Sequence, residues 1–402
     1  MRVGLLANIK PTPERQIEQL RTRYPVRTST RAPGSNSDSK APGSKLPGTD
    51  AGARQKTRAS ERLTERARTT LDDLYAEWDS PETIEAVRKA LVSHPDVECE
   101  VIEAVPDRAI DRLLIKDLDI VFNLAEGFVG AAREAQFPAL LEMLDIPYTG
   151  SGPLALATAL DKARTKEVLS YHGVPVARFV TSGRAIESIR GVLPGSDFPF
   201  IVKPISEGSS KGIRNSSFVT SLDAMNREIE RIATEYSQPA IIEEFLPGRE
   251  FTVAVIGNGP NARVLPIVEI NFGELPEEAN RIYSYEAKWV YDVATNPLHI
   301  FTCPADTSDR LRNEIENVVL RTYEVLDCRD WSRIDVRLDA RGRVNVIEVN
   351  PLPGILPNPE ENSCFPKAAR AAGLTYESML LSVLKSGCER YGIPFQFEPK
   401  FA

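Results

Sequence analysis

Two short segments near the C-terminus constrain this chain more than any other feature of its sequence. Residues 332–338 read Ser-Arg-Ile-Asp-Val-Arg-Leu, and residues 344–350 read Val-Asn-Val-Ile-Glu-Val-Asn. Polar and apolar residues alternate in both segments, which is the period of a half-buried strand, and the short link at 339–342 predicts a hairpin. The polar face of this hairpin collects Arg333, Asp335, Glu348 and Asn350. The face turned toward a core collects Ile334, Val336, Ile347 and Val349.

Carboxylates beside an amide and a guanidinium on one sheet face predict that a cation binds there. Asp335, Glu348 and Asn350 offer hard oxygen ligands, which suit Mg²⁺ that also holds nucleotide phosphates. The alternative is a solvated sheet face whose charges pair across the strands. This motif alone leaves both interpretations open, because short motifs also match by chance.

The length and charge of the chain limit the class of protein. A chain of 402 residues is expected to form two or three domains. Its net charge of −8 argues against a general nucleic-acid-binding protein. The five cysteines are scattered, which argues against a disulfide framework or a structural zinc site and fits a reducing cytoplasm. No apolar stretch of the sequence approaches the length of a membrane span, so we expect a cytoplasmic protein without a membrane or nucleic-acid partner.

The pattern of strands and helices predicts an α/β fold in three parts. Residues 1–155 alternate strand and helix, which indicates a parallel α/β domain on the substrate side. Within it, residues 27–65 are rich in Ser, Pro and Gly and nearly lack large apolar side chains, so we expect disorder there. Residues 156–247 are predicted to form a small central α+β unit, and residues 248–402 a larger C-terminal α+β unit that contains the hairpin.

Three further segments could contact a ligand. Lys203 ends a strand and leads into a loop of Gly and Ser at 204–213, which can present N–H groups and hydroxyls to phosphate oxygens; an ordinary flexible turn is the alternative. Residues 243–246, Glu-Glu-Phe-Leu, end another strand and can offer backbone groups and an aromatic face to a flat base, or form a corner with Phe245 in the core. Gly354, in a proline-stiffened turn after the hairpin, could bring its N–H close to a ligand or mark a rigid strand exit.

In their order along the chain, these segments resemble the ATP-grasp fold and, within it, the D-alanine–D-alanine ligase family. The resemblance runs from about residue 122 to residue 384, which is most of the chain. It rests on Pro147–Ser151, Asp161-Lys162 with Thr165-Lys166, Ile201–Pro204, Glu207–Ser210, Glu243–Leu246, Gly248–Val253, Tyr283–Lys288, Arg333–Val336 and Glu348–Gly354. Chance does not readily produce so many short motifs in one order.

The resemblance implies an ATP-dependent reaction between small amino-acid substrates. The carboxylate of one amino acid attacks the γ-phosphate to give an acylphosphate, and the amine of a second displaces phosphate to form an amide. The family joins D-alanine to D-alanine for peptidoglycan precursors, and its members are often dimers, so a homodimer is also implied. Two Mg²⁺ ions, with Mn²⁺ as an alternative, would be held by Asp335, Glu348 and Asn350. The catalytic set would be Arg333, Gly354, Ser209, Lys288 and Glu77.

The matched residues divide by the part of ATP that they would contact. The phosphates would be contacted by Lys162, Lys203, Lys288 and the loop of Glu207, Gly208, Ser209 and Ser210. The adenine would be lined by Glu243, Glu244, Phe245 and Leu246. The ribose hydroxyls would be bound by Glu250. Arg333 and the Gly354 N–H would stabilise the tetrahedral oxyanion, where charge builds up.

The sequence departs from the family mainly where the amino acids bind. Residues 7–10, Ala-Asn-Ile-Lys, stand where the family has Gly-Gly-x-Ser-x-Glu, and Glu77 would then supply the glutamate that grips the first ammonium group. Residues 123–127, Asn-Leu-Ala-Glu-Gly, replace the family's His-Gly element, and Trp289 replaces the usual tyrosine after Lys288. The ATP and metal residues are retained, so the departures leave the identity of the amino acids open.

Three functions can be ranked on these grounds. The leading one is a D-alanine–D-alanine ligase, and the first alternative is a ligase of the same fold that makes another dipeptide or amino-acid amide. The second alternative is a non-catalytic nucleotide-binding protein. The retention of Arg333 together with Asp335, Glu348 and Asn350 speaks against it, because a scaffold needs no oxyanion arginine.

Overall fold

The computed structural model describes residues 1–12, 75–115, 117–127, 129–276, 279–284, 287, 298, 300–399 and 401. The predicted disordered insert at 27–65 lies outside the described residues. By its internal contacts the chain divides into two compact units, Lys10–Glu77 on the one hand and Met1–Ile9 with Trp78–Ala402 on the other. The helices and strands of the described residues, and the site that they build, belong to the second of these units.

The N-terminal part of this unit is a parallel sheet, as the alternation of strands and helices predicts. Its elements are β1 (Arg2–Ala7), α1 (Pro81–Leu91), β2 (Glu98–Glu103), α2 (Pro106–Leu113) and β3 (Ile120–Leu124). Strand β1 lies between β2 and β3, and both run parallel to it. Helix α1 begins after Ser80, whose Oγ accepts a hydrogen bond from the Thr83 N–H at 3.1 Å. The carboxyl ends of β1 and β3 meet at one edge, where Asn8 Oδ1 accepts from the Gly127 N–H at 2.9 Å.

A second, antiparallel sheet follows. The elements between the two sheets are α3 (Gln136–Met143), α4 (Pro153–Leu160) and α5 (Lys162–Tyr171). The next elements are β4 (Phe179–Ser182), α6 (Ile189–Val192), β5 (Phe200–Pro204), β6 (Phe218–Val219), α7 (Leu222–Tyr236) and β7 (Ala240–Glu244). The strands pair in the order β4-β7-β5-β6. Helix α7 covers this sheet because Met225, Ile229 and Ile232 recur at helical spacing and pack with Phe200 and Ile242.

The third sheet is also antiparallel, and it carries the predicted hairpin. Its strands are β8 (Glu250–Ile256), β9 (Arg263–Val264), β10 (Val268–Ile270), β11 (Phe301–Thr302), β12 (Trp331–Leu338) and β13 (Val344–Asn350). Its helices are α8 (Asp309–Val325), α9 (Cys364–Ala371) and α10 (Tyr376–Tyr391). The order is β11-β10-β8-β12-β13, with β9 beside β8. Val253 and Ile334 pack with Ile315 of α8, whereas Ala254 packs in the core that contains Leu380 of α10.

The predicted hairpin forms, but a β-bulge changes one of its faces. Asp335 pairs with Glu348, and the next residue, Val336, pairs with Val346, so Ile347 is an extra residue in β13. Val346 therefore takes the core position, and Ile347 lines a pocket on the other side. The prediction that Ile347 points into the core is wrong, because the alternation along one strand does not reveal an extra residue.

Each of the three predicted parts of the chain contains the strands of one sheet. In the described residues, strands β1 to β3 fall within 1–155, strands β4 to β7 within 156–247 and strands β8 to β13 within 248–402. The compact units of the structure separate only residues 10–77 from the rest, so the boundaries at 155 and 247 stay predictions. None of the helices in the described part of the chain has the length and apolar character that a membrane span needs.

A buried carboxylate joins the last helix to the rest of the unit. Asp330 is fully buried just before β12. Its Oδ2 accepts from the Gly150 N–H at 2.7 Å and from Arg390 Nη2 at 2.8 Å. Its Oδ1 accepts from Asn258 Nδ2 at 2.7 Å. This network ties α10 to the turn after β8 and to the segment before α4.

Replacing Arg390 by leucine should lower the free energy of unfolding by about 3–5 kcal/mol, because it leaves the Asp330 charge buried without its cation. Urea denaturation followed by tryptophan fluorescence measures the change. The control is Arg321→Leu on α8, whose ion pair with Glu324 is exposed (50% and 71% of the side chains); it should change stability by less than about 1 kcal/mol. Equal losses in the two variants would contradict the prediction.

Candidate active site

One pocket collects most of the residues that the sequence predicts for the site. It lies between the second sheet, which contributes β5 and the end of β7, and the face of the third sheet formed by β8, β12 and β13. The predicted residues that line it are Lys203, Ser209, Ser210, Glu243, Glu244, Phe245, Leu246, Glu250, Arg333, Asp335 and Glu348. Lining residues without a predicted role include Thr252, Tyr283, Arg337, Ile347 and Cys364.

The pleat of the third sheet explains why polar side chains face this pocket. Along β12, Arg333, Asp335 and Arg337 line the pocket, whereas Ile334 and Val336 pack in the core beneath α8. The same alternation governs β8, so the two strands present polar residues side by side. The face assignment of β12 made from the sequence is confirmed.

The polar face of the hairpin is held together by its own contacts. Arg333 is opposite Asn350, and Asp335 is opposite Glu348. Arg333 donates from Nε to Asp335 Oδ1 at 3.1 Å and from Nη2 to Oδ2 at 3.0 Å. Asn350 Nδ2 donates to Asp335 Oδ2 at 3.3 Å. Burial opposes the charge on Arg333, but Asp335 raises the pKa of the guanidinium, so Arg333 stays charged.

Glu243 is shared by two buried lysines. Its Oε2 lies 3.1 Å from Lys203 Nζ, and its Oε1 lies 3.5 Å from Lys166 Nζ, where no hydrogen bond forms. Burial acts to raise the pKa of Glu243, but Lys166 and Lys203 outweigh it and lower the pKa. Burial lowers the pKa of Lys166. Burial also opposes the charge on Lys203, but Glu243 and Glu348 raise its pKa. Lys203 therefore presents a protonated amino group to the pocket.

Glu348 couples the hairpin to helix α5. Its Oε1 lies 2.9 Å from Lys162 Nζ. Burial acts to raise the pKa of Glu348, but Lys162, Lys203 and Arg333 together lower it to about 2. Glu348 is therefore a carboxylate at neutral pH, in the middle of three cations.

Lys166 is a residue of this cluster for which the sequence predicted no role. It is 2% exposed, and its Nζ donates to the Val346 carbonyl at 3.2 Å. Lys162 and Lys166 are four residues apart on α5, so both extend from the same face of the helix. That spacing is the signal in the sequence that could have identified Lys166. The corresponding signal for Arg337 is its place as the third polar residue on the pocket face of β12.

The loop after β5 is fixed at its start by Glu207. The Glu207 carboxylate accepts from Lys211 Nζ at 2.7 Å and from Gln238 Nε2 at 2.8 Å, and it lies 3.5 Å from Arg133 Nη2. The Lys162 Nζ donates to the Glu207 carbonyl. The Glu207 side chain therefore holds the loop, and a direct contact of that side chain with a nucleotide stays a prediction.

The middle of this loop has an unusual backbone. Ser209 and Ser210 have φ angles of 50° and 59°, in the left-handed region that residues other than glycine rarely adopt. The Gly208 carbonyl accepts from the Lys211 N–H at 2.9 Å, and Ser210 Oγ donates to the Tyr283 carbonyl at 3.0 Å. Such backbone strain is concentrated at functional sites in proteins.

The end of β7 borders the pocket with its backbone and one aromatic ring. Phe245 is half-buried and lines the pocket, and its ring centroid lies 4.9 Å from that of Phe218. The Phe245 N–H donates to the Pro199 carbonyl at 3.2 Å. Glu244 differs, because its Oε1 accepts from Arg178 Nη1 at 3.4 Å and from Ser196 Oγ. The Glu244 side chain thus makes its hydrogen bonds to residues around the second sheet, and its predicted contact with adenine stays a prediction.

Several predicted residues lie beside the pocket or outside the described residues. Asn350 is not among the described residues that line the pocket, but its Nδ2 donates to Asp335, which does line it. Gly354 is exposed, and its carbonyl accepts from Ser363 Oγ at 3.0 Å. Lys288 lies outside the described residues, and Glu77 belongs to the other compact unit. The predicted catalytic roles of Gly354, Lys288 and Glu77 stay predictions.

The metal prediction likewise stays a prediction. In the part of the chain that the structure describes, no group of three or more His, Cys, Asp and Glu side chains is placed to hold a metal ion. The predicted set contains only two carboxylates, Asp335 and Glu348, on opposite strands, with the amide of Asn350 beside them.

The fold and the pocket define a class of protein, the ATP-grasp fold. The crystal structure of the D-alanine–D-alanine ligase from Bacillus anthracis complexed with ATP matches with a TM-score of 0.60 at 18% identity, over 98% of this chain and 99% of that chain. Another structure of the B. anthracis ligase matches with a TM-score of 0.59 at 23% identity, over 77% of this chain and 92% of that chain. The predicted α/β ATP-grasp fold is confirmed by these matches.

The sequence comparisons identify the family within this class. The family model described as the D-ala D-ala ligase C-terminus matches residues 168–385. The D-alanine–D-alanine ligase of Actinobacillus pleuropneumoniae is 36% identical over 281 residues, which is 69% of this chain and 84% of that protein. An uncharacterized protein of Sinorhizobium fredii, y4sG, is 36% identical over 278 residues, 69% of this chain and 77% of that protein. The chain belongs to the D-alanine–D-alanine ligase family and is an ATP-dependent ligase that forms C–N bonds.

Replacing Thr252 by valine should raise the free energy of unfolding of the nucleotide-free protein by about 1 kcal/mol. Thr252 is 2% exposed, and its Oγ1 has no hydrogen-bond partner in the described structure. Valine keeps the shape and removes the unsatisfied hydroxyl. Urea denaturation provides the measurement.

The matched control is Thr322→Val. Thr322 is also fully buried, but its Oγ1 donates to the Val318 carbonyl at 2.7 Å. This variant should lose about 1 kcal/mol. A loss of stability in Thr252→Val equal to that in Thr322→Val would show that the Thr252 hydroxyl is satisfied in the folded protein.

Proposed function

We propose that this protein joins two amino acids through an acylphosphate, with ATP and Mg²⁺, and that D-alanyl-D-alanine is the product. The observation that carries the proposal is the convergence of Lys203, Glu348 and Arg333 in one pocket of an ATP-grasp fold. These residues supply a cation for phosphate, a carboxylate for a metal and a guanidinium for an acyl oxygen. The activity named for the A. pleuropneumoniae relative supports the choice of D-alanine, and the dipeptide product would serve peptidoglycan synthesis.

The nucleotide would lie with its base against the end of β7 and its phosphates toward Lys203. The half-buried ring of Phe245 offers a flat apolar surface. Within the described residues the Leu246 N–H has no acceptor, so it is available to a base nitrogen. Glu250 would accept from the ribose hydroxyls, and Ser209 and Ser210 would border the phosphates.

The residues at the hairpin fit Mg²⁺ in kind. Asp335, Glu348 and Asn350 carry hard oxygen donors on neighbouring strands, and Glu348 is ionised at neutral pH. Two buried polar atoms of the pocket, Thr252 Oγ1 and Glu243 Oε1, have no hydrogen-bond partner among the described residues, and a bound polar group would satisfy them. A bound ion would neutralise the negative charge that builds up on the phosphoryl oxygens.

The chemistry has two bond-forming steps. A carboxylate oxygen of the first amino acid attacks the γ-phosphorus, and ADP leaves. The amine nitrogen of the second amino acid then attacks the acyl carbon, phosphate leaves and the nitrogen loses a proton. Arg333 uses Nε and Nη2 on Asp335, so its Nη1 can donate to the oxygen of the tetrahedral intermediate. The Gly354 N–H would be the second donor.

A ligase for other amino acids is the alternative that a specific observation favours. The family model matches only from residue 168, so the substrate-side motifs lie outside it. Asn8 and Gly127, one from each of the departures, lie together at the carboxyl edge of the parallel sheet, where the Gly127 N–H donates to Asn8 Oδ1. Open sheets bind ligands at that edge, so changed residues there would change the amino acid that is bound.

The direct experiment is phosphate release from Mg-ATP by the purified protein, with D-alanine, L-alanine and other amino acids in parallel, and with the product mass read by spectrometry. We expect phosphate release to rise with D-alanine and to accompany a D-alanyl-D-alanine mass. Release with a different amino acid only would move the assignment to the alternative. If no amino acid causes phosphate release although ATP binds tightly, the ligase proposal would be overturned.

Glu348→Gln should lower turnover by about 100-fold or more, because it removes a metal-binding charge and leaves the shape of the side chain. The folded state should survive, since glutamine still accepts a hydrogen bond from Lys162. Turnover and circular dichroism melting are the two measurements. Glu324→Gln on the exposed face of α8 is the control and should match the unmodified protein in both. Near-normal turnover in Glu348→Gln would remove Glu348 from the proposed metal set.

A further inference from the structure

Arg337 is a buried cation at the base end of the pocket, where the proposed chemistry requires none. It is 5% exposed and lies on β12, two residues beyond Asp335. Its Nη1 donates to Glu250 Oε2 at 2.8 Å, and its Nη2 donates to the Arg281 carbonyl at 2.9 Å. Its Nε donates to the Gly248 carbonyl at 3.3 Å. All three nitrogens of the guanidinium are therefore engaged.

The same guanidinium lies near two aromatic rings. The Arg337 Cζ lies 4.7 Å from the centroid of the Phe245 ring and 5.3 Å from that of Phe272. Cation–π contacts of this length are favourable, above all when the cation is shielded from water. The hydrogen bonds and ring contacts together hold the Arg337 head group in one orientation.

This arrangement determines which oxygen of Glu250 a ligand can use. Oε2 accepts a hydrogen bond from Arg337, and in the described structure Oε1 accepts none from it. Both residues line the pocket, and Glu250 is 7% exposed. Burial raises the pKa of Glu250, and Arg337 acts to lower it, so the ion pair offsets part of the cost of burial. The hydrogen bond from Arg337 also fixes the orientation of the carboxylate.

Packing alone does not account for an arginine at this position. A buried ion pair can often be replaced by apolar side chains of similar volume without loss of stability. Arg337 and Phe245 both line the pocket. A long apolar side chain such as methionine could therefore occupy the position of Arg337. What a guanidinium supplies, and an apolar side chain does not, is a hydrogen bond that fixes Glu250 Oε2.

We propose that Arg337 is a positioning residue that makes the site selective for a nucleotide with both ribose hydroxyls. It holds Glu250 Oε2, so that Oε1 accepts from a ribose hydroxyl at one place, and it backs the Phe245 ring on which the base rests. The inference rests on the proposed nucleotide site and goes beyond it in naming what sets its ribose selectivity.

The test is equilibrium binding of ATP, 2′-deoxy-ATP and 3′-deoxy-ATP to the full chain by calorimetry, which needs no knowledge of the amino-acid substrate. We expect the unmodified protein to bind ATP about tenfold more tightly than at least one deoxy analogue, as for a hydrogen bond to a charged group. Arg337→Met should weaken ATP binding about tenfold and bring the three affinities within about twofold of one another. Arg337→Lys, which keeps a cation without the planar fork, should restore part of the selectivity.

Glu250→Gln provides the matched comparison. It should lose the same selectivity, and combining it with Arg337→Met should cause little further loss, because both act through one contact. An Arg337→Met variant that keeps the ATP preference, or an unmodified protein that shows no preference, would overturn the inference and leave the nucleotide site standing. Failure of the unmodified protein to bind ATP at all would overturn the proposed function itself. If Arg337→Met does not fold, the selectivity of Arg337→Lys decides the matter, and full selectivity in that variant overturns the role of the fork.

Discussion

The antiparallel pairing of β12 with β13 is the constraint on which the rest of the site depends. Asp335 lies directly opposite Glu348 and Arg333 opposite Asn350, so two carboxylates, an amide and a guanidinium share one patch of sheet. The core beneath the hairpin, with Ile334, Val336 and Val349 against α8, keeps this face turned toward the pocket. A register shift of one residue would turn the polar set into the core. The packing of apolar residues on one face thus positions the chemistry on the other.

The charged side chains of the site form ion pairs, because a single charge would be costly to bury without a partner. Glu243 lies between Lys166 and Lys203, Glu348 is bound to Lys162, and Asp335 is bound to Arg333. Lys166 and Lys162 of α5 pair with Glu243 of the second sheet and Glu348 of the third sheet, so the charge network also holds these elements around one pocket. The low pKa of Glu348, about 2, is a result of this convergence rather than of any single neighbour. A ligand that brings phosphates and a metal would enter a site whose charged groups are already in place, which is how such sites lower the cost of reorganisation.

The sequence predicted the structure best where a local pattern of polar and apolar residues, or the order of strands and helices, was enough to define an element. Alternation identified the pocket face of β12, and the order of strands and helices predicted the parallel sheet of β1 to β3. The error at Ile347 has a physical cause, because a β-bulge depends on how two strands are matched and leaves no mark on the period of either one. Glu207 and Glu244 lie in matched motifs, yet their side chains bind Lys211 and Arg178, partners that come from the folding of nearby loops and strands.

The sequence by itself determined the class of fold, the family and the chemical types of the site residues, because these follow from short-range patterns and from motifs in a fixed order. Only the tertiary structure decided which charges meet. Lys166 pairs with Glu243 and Arg337 pairs with Glu250, across separations of 77 and 87 residues. Arg337 also lies near two aromatic rings. Coulombic interaction and desolvation depend on distance and burial in space, and neither quantity is encoded in any local stretch of chain. The state of each ionisable group therefore emerged only when the sheets and helices were packed together.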